Sequence, residues 1–372
     1  MLASILINNY NYADYLEKCI NSVLHQTYND IEIIVYDDGS TDHSLEVLSI
    51  FSNITIIANE NYGKNHNLNQ MNAVYQAFLK SKGEYIFLLD SDDWFRVDKV
   101  EKVVNVFLQN PQVEAIQHYL VEVDKNGYST NAIVPVLKEV FNYSEHIFKT
   151  ENLLHLFTVT SGLAFRRSFF DQVMPLAEDE KKYLCVDIRL MLHAAIVSNI
   201  YTIFEPLSYY RRHGTNFSSK YSDPKGYEQF LDELYSFFNL IAKDNGLDSI
   251  SYSLSKSLGN SFFFNSINLE KCNHFIAEDK FWIWGAGEAG QSIYYALQEK
   301  KQKCQGFIDR DVRKQNQIIM GKKVVGPESI DYNSEIKLLV SPYHVYNLIN
   351  SELQLIGLSE GSHFIDPYLR EN

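Results

Sequence analysis

Four short apolar runs in the first ninety residues constrain the fold most strongly: Ser4 to Ile7, Ile31 to Tyr36, Ile54 to Ala58 and Tyr85 to Leu89. Runs this short, with no polar alternation, predict strands buried on both faces, as in a parallel sheet covered by helices. The segments between them carry helical spacing. Tyr15, Leu16, Cys19, Ile20, Val23 and Leu24 recur on one face. Asp42 predicts a cap for a helix through Ile50, and Asn69 to Lys80 reads as another helix. Alternating strands and helices predict an α/β fold with a mainly parallel sheet. Ligands of such sheets bind beyond the carboxyl ends of the strands. Two of those ends carry acidic clusters: Asp37-Asp38 and Asp90-Ser91-Asp92-Asp93.

Beyond Val113 the pattern changes. Val113 to Val123 and Tyr128 to Val134 flank Asn126-Gly127, which predicts a hairpin with a type I′ turn. Leu153 to Arg212 mixes short helices and strands. Asp223 to Ala242 reads as an amphipathic helix, with helix continuing to about Leu269. A new unit opens near Phe275, where the strand Phe281 to Trp284 runs into Gly285-Ala286-Gly287-Glu288-Ala289-Gly290 and a helix through Glu299. Gly306 to Ile308 and Ile336 to Val340 add strands, so this part reads as a small Rossmann-like α/β unit. At 372 residues the chain exceeds one ordinary core. The expected division is 1–218, a helical connector 219–274, and 275–372.

Charge and cysteine usage narrow the chemistry. A net charge of −14 disfavours a broad nucleic-acid-binding surface, which needs clustered Lys and Arg. Cys19, Cys185, Cys272 and Cys304 lie far apart without CxxC spacing, so neither a zinc site nor a disulfide framework is expected. No apolar run approaches the roughly 18–20 residues that span a bilayer. The opening run Met1 to Ile7 lacks the basic start and cleavage site of a signal peptide. A cytoplasmic protein is expected, with peripheral contact at the inner membrane face and self-association left open.

Two carboxylates one residue apart on an extended turn, as in Asp90-Ser91-Asp92, can share a hard divalent cation. Mg²⁺ or Mn²⁺ suits oxygen ligands, and a diphosphate supplies more of them. An isolated triplet of this kind is more often a solvated acidic turn. Asp38, at the end of another strand, can accept a hydrogen bond from a base N–H such as uracil N3. Asp42 is better explained as a helix cap.

Taken together, three segments resemble the opening of family 2 glycosyltransferases: Ile5 to Tyr12, Ser22 to Tyr28, and Ile33 to Asp42. Gly83 to Asp93 looks like that family's metal-binding segment, and order and spacing match across about ninety residues. Ser161 to Phe169 resembles an acceptor-side segment, and Tyr209 to Asn216 one that closes over the donor. The resemblance implies a GT-A fold, a nucleotide-diphosphate sugar donor (a UDP-sugar favoured) and inversion at the anomeric carbon. It also implies a carbohydrate or lipid-linked acceptor, as in surface polysaccharide synthesis. By the same resemblance Asn9, Tyr10, Asp37, Asp38, Asp90, Ser91, Arg211 and Arg212 bind the donor. Asp92, with Asp90, holds Mn²⁺ or Mg²⁺, and His213 is either a further metal ligand or a phosphate contact. Asp187 is the base that deprotonates the acceptor hydroxyl, although Val186 stands where the family usually has Glu. The plainer alternative for Asp187 is a surface helix residue paired with Arg189 or Lys182. Asn8 and Asn9 replace the Pro-Thr common at the end of the first strand.

Gly285, Gly287 and Gly290, with Asp309 at the spacing of a ribose-binding acid, form a dinucleotide fingerprint, so NAD or another nucleotide is a candidate ligand there; the alternative is that the unit only packs or dimerises and Asp309 simply ends a strand. Two further readings stay open: an NAD-dependent sugar oxidoreductase working through this unit, and a non-catalytic nucleotide-sugar-binding module. A nucleotidyltransferase is disfavoured, because Asn8-Asn9-Tyr10-Asn11-Tyr12 stands where a Gly-rich basic loop is wanted.

Overall fold

The computed structural model describes residues 1–369 except 136, 138–139, 180, 182, 215, 217–223, 253–261, 313, 333–334 and 344–345. Two compact units account for them. The first comprises Met1–Lys149 and His155–Ser251, the second Thr150–Leu154 and Tyr252–Asn372. The stretch expected as a connector is therefore divided between them. Helix Pro224–Asp244 packs within the first unit, where Phe237 meets the ring of His193 and Glu233 accepts the Tyr183 N–H. Helix Leu269–Ile276 buries Cys272, Phe275 and Ile276 in the core of the second. An amphipathic helix needs an apolar partner, and each of these finds it in the nearer core.

The first unit is built on one sheet. Its strands are β1 (Ala3–Asn9), β2 (Ile31–Asp37), β3 (Thr55–Ala58), β4 (Tyr85–Asp90), β5 (Trp94–Phe95), β6 (Val113–Val123), β7 (Ser129–Val134), β8 (Leu163–Arg166) and β9 (Asn199–Arg211). They lie in the order β3-β2-β1-β4-β8-β6-β9-β5, with β7 beside β6. The run β3-β2-β1-β4 is parallel, and β1, β2 and β4 are buried as expected, but β3, at the sheet edge, is largely exposed rather than covered on both faces. β8 is antiparallel to both β4 and β6, whereas β6 and β9 run parallel. One face of the sheet buries Ile5, Ile7, Phe87 and Leu89. They pack against Leu16, Cys19, Ile20 and Val23 of helix Ala13–Leu24 and Val100, Val103, Val104 and Phe107 of helix Lys99–Gln109. Helix His66–Lys80 packs on β1 and β2. It starts three residues earlier than expected because the Asn65 side chain accepts from the N–H groups of Asn67 and Leu68.

The β6–β7 hairpin forms, but not on a type I′ turn. Only Gly127 takes a positive φ, +87°. The Asp124 carboxylate accepts from the N–H groups of Asn126 and Tyr128, and the Asp124 carbonyl accepts from Gly127 N–H. That Asp-centred turn leaves Asn126 in ordinary backbone. The helix expected to reach Ile50 spans Ser44–Leu48, with Asp42 Oδ1 accepting the Ser44 N–H.

The second unit contains β10 (Phe281–Trp284), β11 (Cys304–Ile308), β12 (Ile318–Ile319), β13 (Lys322–Val325), β14 (Leu338–Val340) and β15 (Phe364–Ile365), in the order β12-β13-β11-β10-β14-β15. All are parallel except β12. Helix Glu288–Ala296 ends earlier than the sequence suggested and passes into a 3₁₀ turn, Gln298–Lys303. A Cβ at Gly290 would stand 1.9 Å from the Gly285 carbonyl oxygen, so close packing of this helix on its loop demands glycine.

Phe107 is fully buried, stacked on Tyr85 with centroids 4.9 Å apart, with the Arg166 guanidinium 5.1 Å from its ring. Phe107→Ala is expected to cost about 3–5 kcal/mol of first-unit stability in urea unfolding, from lost transfer and cavity energy.

Candidate active site

The register of three strands assembles the site. β1 sits between β2 and β4, so Asn9 lies opposite Asp37 and Asn8 opposite Asp90. β4 ends at Asp90, and the chain turns there with the Asp93 N–H donating to the Asp90 carbonyl at 3.0 Å. Ligand atoms of Asp90, Asp92 and Asp93 all lie within 4.8 Å of one another. Asp90 and Asp92 line a cleft of about 600 Å³. Asp93 turns inward instead, and its Oδ1 accepts the Arg211 N–H at 2.8 Å. Burial, with the charge of Asp92 adding to it, pushes the Asp90 carboxyl up to about 7. Burial and the same neighbours push Asp93 well above the usual carboxylate range. Crowded carboxylates that burial pushes toward protonation suit a hard divalent cation, whose charge makes their joint ionisation favourable. The Ser91 hydroxyl oxygen lies buried on the same cleft without a hydrogen-bond partner. A cation held by Asp90 and Asp92 fits this donor set.

Of the segment expected to close over the donor, Tyr210 and Asn216 line the cleft, whereas its two arginines do not. The Arg211 guanidinium donates to the carbonyls of Asp92 and Lys125 at 2.9 Å each. It lies over Tyr15 and Trp94, 4.4 and 4.9 Å from their centroids. It therefore braces the acidic turn from behind. Arg212 pairs with Glu122 at 2.8 Å. Neither arginine lines the cleft. His213 Nε2 lies 2.7 Å from Asp92 Oδ2, with its ring against Tyr12 and Tyr15. It reaches the acidic group through Asp92 and does not line the cleft.

Asp37 and Asp38 divide their tasks. Asp37 is fully buried, and both its oxygens are engaged: Oδ1 by Ser40 N–H, and Oδ2 by Asn9 Nδ2 and Ser40 Oγ. The donor role expected for it gives way to holding the turn after β2. Asp38 lines the cleft. Its Oδ1 accepts from Tyr62 N–H, and its Oδ2 from Asn61 and Asn69. Burial pushes its carboxyl up against those hydrogen bonds. Gly39, at φ +73°, lets Asn61 approach, since a Cβ there would stand 2.4 Å from the Asn61 nitrogen. Asn9 and Tyr10 line the same cleft, Tyr10 at its exposed rim.

Asp187 is not a surface residue. It is 8 % exposed, lines the cleft and lies in the first turn of helix Val186–Val197. Arg189 pairs instead with Asp179, at 3.0 and 2.7 Å, and Lys182 lies outside the described residues. Burial pushes the Asp187 carboxyl up, opposed by hydrogen bonds from Ile188 and Thr160.

Several cleft residues were not foreseen. Asn61, Lys64, His66, Asn69 and Gln70 line it, and Gln70 Nε2 donates to Asp90 Oδ1 at 3.0 Å. The signal was the density of amides between Asn59 and Gln70, next to a strand end. Phe157, Thr158, Val159 and Thr160 line the opposite wall. They carry no motif, and only β8's pairing with β4 and β6 brings them there.

In the second unit, Asp309 Oδ2 accepts the Ala286 N–H at 2.9 Å and the Lys314 ammonium at 3.2 Å, and Oδ1 accepts the Asp311 N–H. The carboxylate expected to read a ribose thus holds the loop of Gly285 and Gly287 to β11. Nothing in this arrangement supports NAD.

Residues 4–174 match the family model described as Glycosyl transferase family 2, and residues 277–363 match one described as C2185-like, N-terminal. An uncharacterized glycosyltransferase of Nostoc sp. is 36% identical over 224 residues, covering 58% of this chain and 66% of the relative. Chondroitin synthase of Pasteurella multocida is 36% identical over 123 residues, 31% of this chain and 12% of that protein. The chain thus spans just under two thirds of the first relative's length and a small part of the second's. A solved structure of S. aureus TarS 1-349 in complex with UDP-GlcNAc has a TM-score of 0.49 at 18% identity, over 82% of this chain and 84% of that one.

A carboxyl raised from an ordinary value near 4 to about 7 keeps its proton in the folded chain while the unfolded chain releases it. Its contribution to stability is complete below about pH 4 and is lost as pH rises through about 7. In EDTA, the stability of the protein relative to Asp90→Asn is expected to fall across that window in urea unfolding. Mn²⁺ at pH 7.5 is expected to restore it. An unchanged difference from pH 4 to 7.5 would show that Asp90 ionises as an ordinary carboxylate.

Proposed function

Residues 4–174 belong to glycosyl transferase family 2, and from that premise we propose that the chain is an inverting glycosyltransferase. It moves a sugar from a nucleotide-diphosphate sugar, a UDP-sugar favoured, to an acceptor hydroxyl of a carbohydrate or lipid-linked glycan. The observation that carries this reading is one cleft bordered by Asp38, the Asp90–Asp92 pair and Asp187, each on a different element.

Asp38 receives the base, and the amides around it limit which base edge fits. Asp90 and Asp92 would hold Mn²⁺ or Mg²⁺, and a bound ion would supply positive charge against the charge that grows on the departing diphosphate. His213 and Gln70 keep the two carboxylates in place. Asp187 accepts the proton of the acceptor hydroxyl as its oxygen attacks the anomeric carbon from the face opposite the diphosphate. Inversion follows from that single displacement. Burial helps the base, because a carboxylate with a raised proton affinity takes a hydroxyl proton more readily.

The test begins with thermal shifts of the protein against a panel of nucleotide-sugars, with and without Mn²⁺. One nucleoside diphosphate class is expected to stabilise the protein only with the metal, and Asp92→Asn is expected to lose that stabilisation. Asp187→Asn is expected to keep donor binding while transfer falls by roughly 10²–10⁴-fold, the usual contribution of a positioned base. Full transfer by Asp187→Asn would remove it from the reaction, and donor binding without turnover on any acceptor would favour a binding module.

A further inference from the structure

The base and the acidic pair are joined by one short turn, and this connection is assigned by no motif. Thr160–Gly162 forms a 3₁₀ turn just before β8. Thr160 is 2 % exposed and Ser161 fully buried. Asp187 Oδ2 accepts both the Thr160 N–H at 3.0 Å and the Thr160 hydroxyl at 3.2 Å. Asp187 Oδ1 accepts the Ile188 N–H at 2.7 Å. One residue on, the Ser161 hydroxyl oxygen accepts the Asp90 N–H at 3.1 Å. The Ser161 carbonyl accepts from the buried Lys99 ammonium and the Ser208 hydroxyl, each at 2.8 Å.

The turn has little freedom to move. Lys99 is fully buried, also donates to Ser208 Oγ at 3.1 Å, and sits 3.5 Å from the Phe95 ring centroid. A Cβ at Gly162 would stand 2.7 Å from the Thr158 hydroxyl and 3.0 Å from the His118 carbonyl. Buried, satisfied polar groups of this kind hold a single geometry, because breaking any one bond leaves its partner unpaired.

We propose that Thr160 is a positioning residue: its hydroxyl and N–H together aim the Asp187 carboxylate and favour its ionised form, while Ser161 locks the same turn to Asp90. A carboxylate in a buried site is costly to charge, and donated hydrogen bonds offset that cost. The N–H alone fixes distance. The hydroxyl adds a second donor on the same oxygen, which favours the ionised form against the cost of burial and fixes one orientation. The inference rests on Asp187 being the base. The other charged groups lining this cleft are Asp38, Asp90, Asp92, Lys64 and His66, and none of them hydrogen-bonds Asp187 among the described contacts.

The experiment reads Asp187 directly, without turnover. Protein labelled with ¹³C at the aspartate carboxyl is titrated by NMR in EDTA, and Asp187→Asn identifies the resonance. Thr160→Val keeps the shape and the N–H but removes the hydroxyl. It is expected to move the Asp187 midpoint upward, while Thr160→Ser, which keeps the hydroxyl, leaves it in place. If the valine variant does not fold, Thr160→Ala serves the same comparison. An unmoved midpoint without the hydroxyl, or an equal shift in the serine variant, overturns the proposal. Because the titration needs no substrate, these outcomes are separate from loss of transfer by Asp187→Asn, which tests the base itself.

Discussion

The parallel ladder of β1 with β2 and β4 is the constraint on which the cleft depends. It sets Asn9 opposite Asp37 and Asn8 opposite Asp90. Ile5, Leu6 and Ile7 of β1 are all buried, and the register in which they pack is the one that aligns the polar ends. The strands are apolar until their last residues, and the change to Asn and Asp happens where the sheet meets solvent. Stability and site are therefore written by the same hydrogen-bond ladder. The asparagine of β1 that meets Asp37 also donates to it, which ties the turn after β2 to the central strand.

Charge in the interior is organised in layers around that edge. Asp90 and Asp92 face the cleft, whereas Asp93 faces inward to the Arg211 backbone. Behind them the Arg211 guanidinium rests on two aromatic rings, and His213 sits between Tyr12 and Asp92. Lys99 lies deeper, its ammonium lowered in proton affinity by burial and countered by Asp93. A buried ammonium is tolerated because two oxygens accept from it and an aromatic face lies beneath it. Arg211 and His213 contact Asp92, which lines the cleft, and Lys99 holds the carbonyl of Ser161, whose hydroxyl accepts the Asp90 N–H. None of Lys99, Arg211 or Arg212 lines the cleft itself.

Much of this was legible in the chain. The doubly apolar runs foretold the parallel half of the first sheet, and Asp38, Asp90, Asp92 and Asp187 meet on one cleft, as a single donor-and-acceptor site would require. Asp38 and Asp187 line the cleft although their oxygens also accept protein hydrogen bonds, whereas Asp37 and Arg211 do not reach it, being tied to Ser40 and Asn9 and to the Asp92 and Lys125 carbonyls, and Asp309 holds the Ala286 N–H of its own loop. A sequence displays the capacity of a side chain to bind and not whether its own fold already uses that capacity. The boundary near residue 251 was missed for a similar reason, since helix Pro224–Asp244 shows an apolar face but not which core receives it.

By itself, then, the sequence determined the elements whose causes are local. These are the apolar strands, the turn at Asp37-Asp38-Gly39, the existence of the β6–β7 hairpin though not its turn type, and the acidic run after β4. Tertiary structure alone decided which of these groups look into the cleft. The wall from Phe157 to Thr160 and the turn that links Asp187 to Asp90 arise from β8 pairing antiparallel between β4 and β6, residues far apart in the chain. Hydrogen bonds such as Thr160 to Asp187 depend on distances that only packing sets. Nothing in the neighbourhood of either residue announces them.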